Sequence, residues 1–304
     1  MAAVKGQQAI KMLLLLLLPV LSLGSQEAIL ITGGKLYGAE SQVNLRTSEL
    51  LLSSCSAPSL PYASYSHTSF VTADGIILTC GGLLSSCLQL SPDLTSWTPH
   101  SSLPYLGTEA VHSALLSSGV YVVGRTEGAF LPTGASQWEH FQIPADHDGR
   151  QACTVPISST SFLLIGGFWD NGDFVDEYEE LTGQWTRWKS SLPEKREGAV
   201  CGRVGGQVLV TGGYNRATND YDGATMILDI ASRNWRKGGD MTWAREDHGV
   251  AVLQSGRVLA FGGSYGGDDT VEEWDGETET WEILEDKMEV ERASFGYAVV
   301  NVIC

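Results

Sequence analysis

Five short apolar runs in this chain each end in a glycine pair, and that repetition limits its fold more than any other feature. The pairs are Gly33-Gly34, Gly81-Gly82, Gly166-Gly167, Gly212-Gly213 and Gly262-Gly263, preceded by runs such as Ile29-Leu30-Ile31-Thr32 and Val208-Leu209-Val210-Thr211. A sixth run, Tyr121-Val122-Val123-Gly124, carries Arg125 at the second glycine position. Those second positions, 34, 82, 125, 167, 213 and 263, lie 48, 43, 42, 46 and 50 residues apart. A period of this size marks an array of one supersecondary unit.

Trp97, Trp138, Trp185, Trp235 and Trp281 keep the same phase, each 13 to 22 residues after a glycine position. Turn residues precede several of them, as in Pro92-Asp93-Leu94-Thr95-Ser96-Trp97. A further apolar strand lies upstream of each glycine pair, so each unit reads as four short strands with turns between them. No segment after residue 24 has a long helical period. A four-stranded sheet that is apolar on both faces cannot bury itself. Copies must stack, and radial stacking leaves few exposed edges. Glycine pairs suit tight backbone turns where sheets crowd an axis. One tryptophan per unit can fill the gap between neighbouring sheets.

With the glycine pair and the phased tryptophan together, the chain resembles the kelch-repeat family of β-propellers, within the galactose oxidase/kelch superfamily. The resemblance covers essentially all of 25–304. It implies an all-β, six-bladed propeller of four-stranded antiparallel blades. Repeat one departs from the pattern: it has no tryptophan, and Leu52-Ser53-Ser54-Cys55 stands in that place. The first glycine-pair strand also lacks an upstream partner, and the upstream strand near 293–300 lacks a downstream one. The C-terminal strand is therefore expected to complete the N-terminal blade, closing the ring.

Residues 1–24 read as a secretory signal peptide. Lys5 and Lys11 precede the apolar run from Met12 to Leu21, and Ser22 and Gly24 take the −3 and −1 positions of a cleavage site. That run is too short for a spanning helix, which needs about 20 residues. The mature chain, 25–304, is expected to be secreted and monomeric, with no membrane insertion. The formal net charge is −17, which disfavours nucleic acid and anionic lipid as partners. All six cysteines lie beyond residue 24, an even number suited to disulfides in an oxidising compartment. Cys80 and Cys87 flank a hairpin turn and are expected to be bridged, with Cys55 as the competing partner.

Few residues suggest chemistry. Gly262-Gly263-Ser264-Tyr265-Gly266 matches the G-x-S-x-G nucleophile pattern, but a loop and strand follow where that motif needs a helix. His140, Asp146, His147 and Asp148 are metal-binding types, yet their spacing fits no rigid face and reads as a solvated loop. Some kelch-type propellers are copper radical oxidases, and their ligand set has no counterpart here. No catalytic or metal-binding residue is assigned, and no cofactor is expected. The acidic stretches around Asp170–Glu180 and Asp268–Glu291 offer oxygen ligands of the kind that hold calcium, although charge runs of this sort are usually solvated faces. The best binding candidates are the aromatics just after the glycine pairs: Tyr37, Phe168, Trp169, Tyr214, Tyr221 and Tyr265. Local packing is the competing role for each. The expected function is non-catalytic binding of an extracellular protein or glycan through the loop faces. The alternative is an extracellular oxidase or glycan-acting hydrolase.

Overall fold

The computed structural model describes residues 25–37, 42–84, 86–104, 112–168 and 172–303, with Tyr37 and Gln42 described in backbone only. Residues 1–24, Trp169 and Cys304 lie outside the described residues, as do Asp170 and Asn171 of the first acidic stretch. Regular structure among the described residues is entirely β. Five sheets have four antiparallel strands in chain order. Sheet 2 comprises His67–Val71, Ile77–Gly81, Leu88–Leu90 and Trp97–Pro99. Sheet 3 comprises His112–Leu115, Gly119–Val123, Glu127–Pro132 and Glu139–Gln142. Sheet 4 comprises Ala152–Pro156, Ser161–Gly166, Val175–Glu179 and Gln184–Arg187. Sheet 5 comprises Val200–Val204, Gln207–Thr211, Thr225–Asp229 and Asn234–Lys237. Sheet 6 comprises Gly249–Val252, Val258–Phe261, Thr270–Asp275 and Thr280–Lys287.

Sheet 1 joins the two ends of the chain. Its order is Gly296–Val302, Gln26–Thr32, Ser48–Leu51. The C-terminal strand pairs antiparallel with Gln26–Thr32 from Gln26↔Val302 to Thr32↔Gly296. This sheet has three described strands and not the expected four. Leu52 takes a left-handed φ of 65° just after the third strand, turning the chain away. Pro58 and Pro61 follow, and a proline cannot donate to a strand ladder. The outer position that Leu52–Cys55 was expected to fill is thus not strand.

The first strands of sheets 1 to 6 touch in a closed cycle, so the sheets radiate from one axis. Side chains alternate along each strand, and both faces meet a neighbour. In Gln26–Thr32, Ala28 and Leu30 join a core shared with sheet 2, while Ile29 and Ile31 join one shared with sheet 6. The unbroken apolar run in the sequence follows from burial on both sides. The tryptophans fall in or beside the outer strands and reach back to the preceding sheet. Trp97 Nε1 donates to Pro58 O (2.8 Å), Trp138 to Ser101 Oγ (2.9 Å), Trp185 to Gln142 O (2.9 Å) and Trp281 to Thr225 Oγ1 (2.9 Å). Trp235 packs against the core between sheets 4 and 5.

All ten glycines of the five pairs have positive φ. At Gly82 a Cβ would lie 2.1 Å from Tyr65 O, so neither the conformation nor the space admits a side chain. Sheet 3 needs no such pair, because Gly119–Val123 turns directly into Glu127–Pro132 with Gly124 N–H donating to Glu127 O. Cys80 and Cys87 are bridged across sheet 2, as their flanking position predicts. A second bridge, Cys153–Cys201, ties the first strands of sheets 4 and 5.

Candidate functional site

Each glycine pair closes the second strand of its sheet, so the loops after the pairs and the segments between sheets share one face. That face is held by buried cations. Arg245 leads into sheet 6. Its backbone carbonyl accepts from Gly213 N–H of sheet 5 (2.7 Å), and its Nη1 donates to Gly262 O of sheet 6 (2.7 Å). The guanidinium also pairs with Glu272 at 3.0 Å, with both side chains fully buried. Arg292 repeats this between sheets 6 and 1, accepting from Gly263 N–H and donating to Gly33 O and Thr47 O, each at 2.9 Å. Arg196 reaches Gly212 O and Asp222 in sheet 5. In sheet 4 the position belongs to His147, whose ring bonds Asp176 Oδ2 (2.6 Å) and Gly166 O (2.7 Å). His147 is therefore buried, not part of a solvated loop, and its burial follows from this stapling role. Of its sequence neighbours, Asp146 pairs with Arg187, which also reaches Asp176, whereas Asp148 pairs with Arg150 and His140 with Glu127.

Two residues beyond the Arg196, Arg245 and Arg292 staples the chain adopts left-handed φ. Gly198 (64°), Asp247 (53°) and Ser294 (54°) take this conformation, as do Gln151 (54°) and Ser66 (53°) in the matching segments. Their backbones are chained around the axis. Gly198 N–H donates to Gln151 O (3.1 Å), Asp247 to Gly198 O (3.1 Å), Ser294 to Asp247 O (2.9 Å) and Ser66 to Ser294 O (2.7 Å). This rim surrounds an axial cavity of about 420 Å³ lined by the first strands, with His67 and His248 among its walls. Both histidines are buried, and burial lowers them to about 4 and about 3 respectively, so both are neutral at pH 7. Each bonds through Nε2 to the threonine before a glycine pair: His67 to Thr32 (2.9 Å), His248 to Thr211 (2.8 Å).

The aromatic candidates separate into groups. Tyr221 stacks on Tyr265 with centroids 3.5 Å apart and planes at 13°, and Tyr214 lies 5.0 Å from Tyr221. Arg216 caps Tyr214 at 5.3 Å and pairs with Glu197. Burial pushes the Tyr221 phenol up, assisted by the Tyr265 hydroxyl and the charge of Glu246. Tyr265 is 56% exposed. Phe168 sits apart from this trio, under the Arg150 guanidinium at 4.3 Å. Tyr37 lies in a short hairpin, Lys35–Tyr37 with Gln42–Asn44, on the sheet 1 side. Trp243, 41% exposed, extends the tyrosine patch and was not among the sequence candidates; a Cβ on Gly266 would lie 3.3 Å from its ring.

Several acids of the second stretch are engaged in ion pairs and turns. Glu272 meets Arg245, Glu273 meets Arg257 (2.8 Å), Asp269 meets Lys287 (2.9 Å), and Asp275 caps its own turn. Ser264, the serine of the nucleophile pattern, is buried in a β-bridge with Glu246 and donates to its carbonyl at 3.4 Å. Burial, Asp247 and Glu197 together push the Glu246 carboxyl up to about 8.

No family model matches the chain. Among curated proteins it is similar to an F-box/kelch-repeat protein of Arabidopsis thaliana, 32% identical over 108 residues, covering 35% of this chain and 29% of that one. Another F-box/kelch-repeat protein of the same plant is 39% identical over 98 residues, or 31% and 22% of the two chains. Alpha-scruin of Limulus polyphemus is 27% identical over 139 residues, or 43% and 15%. The matched stretches span less than a third of each relative's length. Among solved structures, the one titled "Structure of YjhT" has a TM-score of 0.54 at 18% identity, covering 64% of this chain and 69% of that one, a likeness of fold.

Proposed function

The chain belongs to the kelch-repeat family, and on that premise we propose that it is a non-catalytic binding module that takes a protein partner on its glycine-pair face. The observation that carries the reading is the patch of Tyr214, Tyr221, Tyr265 and Trp243 beside charged groups on that face. Aromatic anchors beside charges are typical of protein-binding surfaces. Ser264 is committed to a backbone bond, which supports binding over hydrolysis.

We take the chain to act outside the cell. The basic and apolar pattern of 1–24 supports a removed leader, and two disulfides fit an oxidising compartment. Terminal sequencing of secreted protein should begin near Ser25. An unbiased pull-down with 25–304 tests the binding. Tyr221→Ala and Tyr265→Ala should each lose the captured partner, whereas Leu181→Ser, at a 79% exposed site on the opposite face, should keep it. Capture that ignores the tyrosines but fails with the Leu181 variant would move the binding surface to the other face.

A further inference from the structure

One quadrant of the cavity rim holds two buried acceptors without donors, Gln151 Oε1 and His248 Nδ1, beside the carboxyl of Glu246. Glu246 has no ion pair among the described residues, and the charges that act on it most are those of the acids Asp247 and Glu197. Gln151 turns its Nε2 toward Glu246 Oε1 at 3.5 Å, leaving its buried Oε1 with no partner. His248 is 4% exposed and lines the cavity, with Nδ1 unpartnered. Hydrogen-bond accounting identifies that nitrogen as an acceptor. Thr211 Oγ1 donates to Val200 O, so it receives the Nε2 proton, and a neutral ring then has a bare Nδ1. Beside these acceptors the backbone bridge Glu246↔Ser264 brings up Tyr265, stacked on Tyr221.

Two unpartnered acceptors, and a carboxyl whose only side-chain partner among the described residues is Gln151 Nε2, ask for a cation with several donors. The stacked tyrosines ask for a flat one. A guanidinium meets both demands, with a rigid fork of N–H groups and a face that stacks on aromatic rings; an ammonium is a point charge that offers no such face. We propose that this quadrant is a subsite for an arginine side chain of a protein partner, its fork on Glu246 and Gln151 Oε1 and its face against the Tyr221–Tyr265 pair. This rests on the reading that the glycine-pair face binds protein, and names the chemistry that it selects.

The surrounding charges leave the site acidic. Arg216 is paired with Glu197 and Arg245 with Glu272; Lys35 lies nearer Asp247, over the Tyr65 ring at 3.7 Å. A carboxyl pushed up to about 8 is mostly protonated at pH 7, so an incoming guanidinium displaces a proton. Affinity should rise about tenfold between pH 7 and pH 9, as the ionised fraction of Glu246 does.

The test uses the disulfide-bonded chain and two capped peptides, acetyl-Gly-Ser-Arg-Ser-Gly-amide and its citrulline twin, titrated by calorimetry. The arginine peptide should bind about tenfold or more tighter than the neutral isostere. Glu246→Gln should abolish both that preference and the pH dependence. Tyr265→Ala, at an exposed position, should weaken binding several-fold without altering the melting temperature. Equal binding of the two peptides, binding of neither, or saturation by calcium or zinc with no arginine preference overturns the subsite. A pulled-down partner that the arginine peptide fails to displace leaves the protein-binding reading standing and removes this subsite. Peptide selectivity with no partner captured does the reverse.

Discussion

Replacing Arg292 with methionine should loosen the joint between sheets 6 and 1. The Arg292 and Glu49 side chains are 0% and 4% exposed and lie 3.0 Å apart, too obliquely for a hydrogen bond at Glu49 Oε1. Charge compensation is therefore the main contribution. Burial raises the Glu49 carboxyl, with Arg292 acting against it. Removing one partner of a buried pair costs about 3–5 kcal/mol. Gly33 O and Thr47 O also lose their donor, at about 1 kcal/mol each. Arg292→Met is thus expected to cost about 5 kcal/mol at pH 7, a drop in Tm of about 10–20 °C for a domain of this size. Denaturant unfolding followed by tryptophan fluorescence measures it. The double variant Arg292→Met/Glu49→Leu should recover most of the loss, because the carboxylate is no longer stranded. Arg236→Ala, which breaks the exposed pair with Glu279, should cost under about 1 kcal/mol. An Arg292→Met protein within about 1 kcal/mol of the parent, or a double variant as weak as the single one, would refute the staple.

Removing the Cys153–Cys201 bridge, with a sequence separation of 48, should destabilise by about 4 kcal/mol, against about 2 kcal/mol for Cys80–Cys87 with a separation of 7. Melts of the paired serine variants that reverse this order would contradict it. For His67 and His248 the folded pKa lies below the unfolded 6.5, so the unfolded chain takes up protons first as pH falls. Stability should drop between about pH 6.5 and 4, by about 3 kcal/mol for His67. Unfolding of His67→Gln across that range should show a slope lower by about one proton, and an unchanged slope would count against its burial as a neutral ring. Glu246 has the opposite sign, since its folded pKa is raised: its contribution is lost as pH rises from about 4.5 to 8, and Glu246→Gln should flatten stability there.

The parts legible in the sequence were those repeated in the chain or close along it. The glycine pairs could be read because a Cβ at Gly82 or Gly212 would strike backbone, so the requirement recurs with the repeat. Cys80 and Cys87 could be read because one hairpin separates them. The C-terminal strand was found by counting: one first-position strand was missing and one was left over. The staples were also present as a signal, Arg196-Glu197, Arg245-Glu246 and Arg292-Ala293 at 49- and 47-residue intervals, but a surface reading of charge hides them. Their carboxylate partners lie on other strands, such as Glu272 for Arg245 and Glu49 for Arg292, so only tertiary structure reveals the burial. His147 was misread for the same reason, its Asp176 partner being 29 residues away. Of the aromatics, spacing placed Tyr214, Tyr221 and Tyr265 on one face. It could not say that two of them stack while Phe168 turns to Arg150.

Closure of the ring by the C-terminal strand is the central claim, and deleting 293–304 tests it most directly. Terminal residues are usually dispensable unless tied into a sheet. Here Gly296–Val302 is the inner partner of Gln26–Thr32 at seven register positions, and Phe295, Ala298, Val300 and Val302 are buried between sheets 6, 1 and 2. Four such side chains at up to about 1.5–3 kcal/mol each rival a total stability of about 5–15 kcal/mol. Secretion yield and thermal melting of 1–292 against 1–304 provide the measurement. The account predicts that the truncated chain is poorly secreted and shows no cooperative melt. A truncated chain that is secreted normally and melts cooperatively within a few degrees of the full one would contradict it.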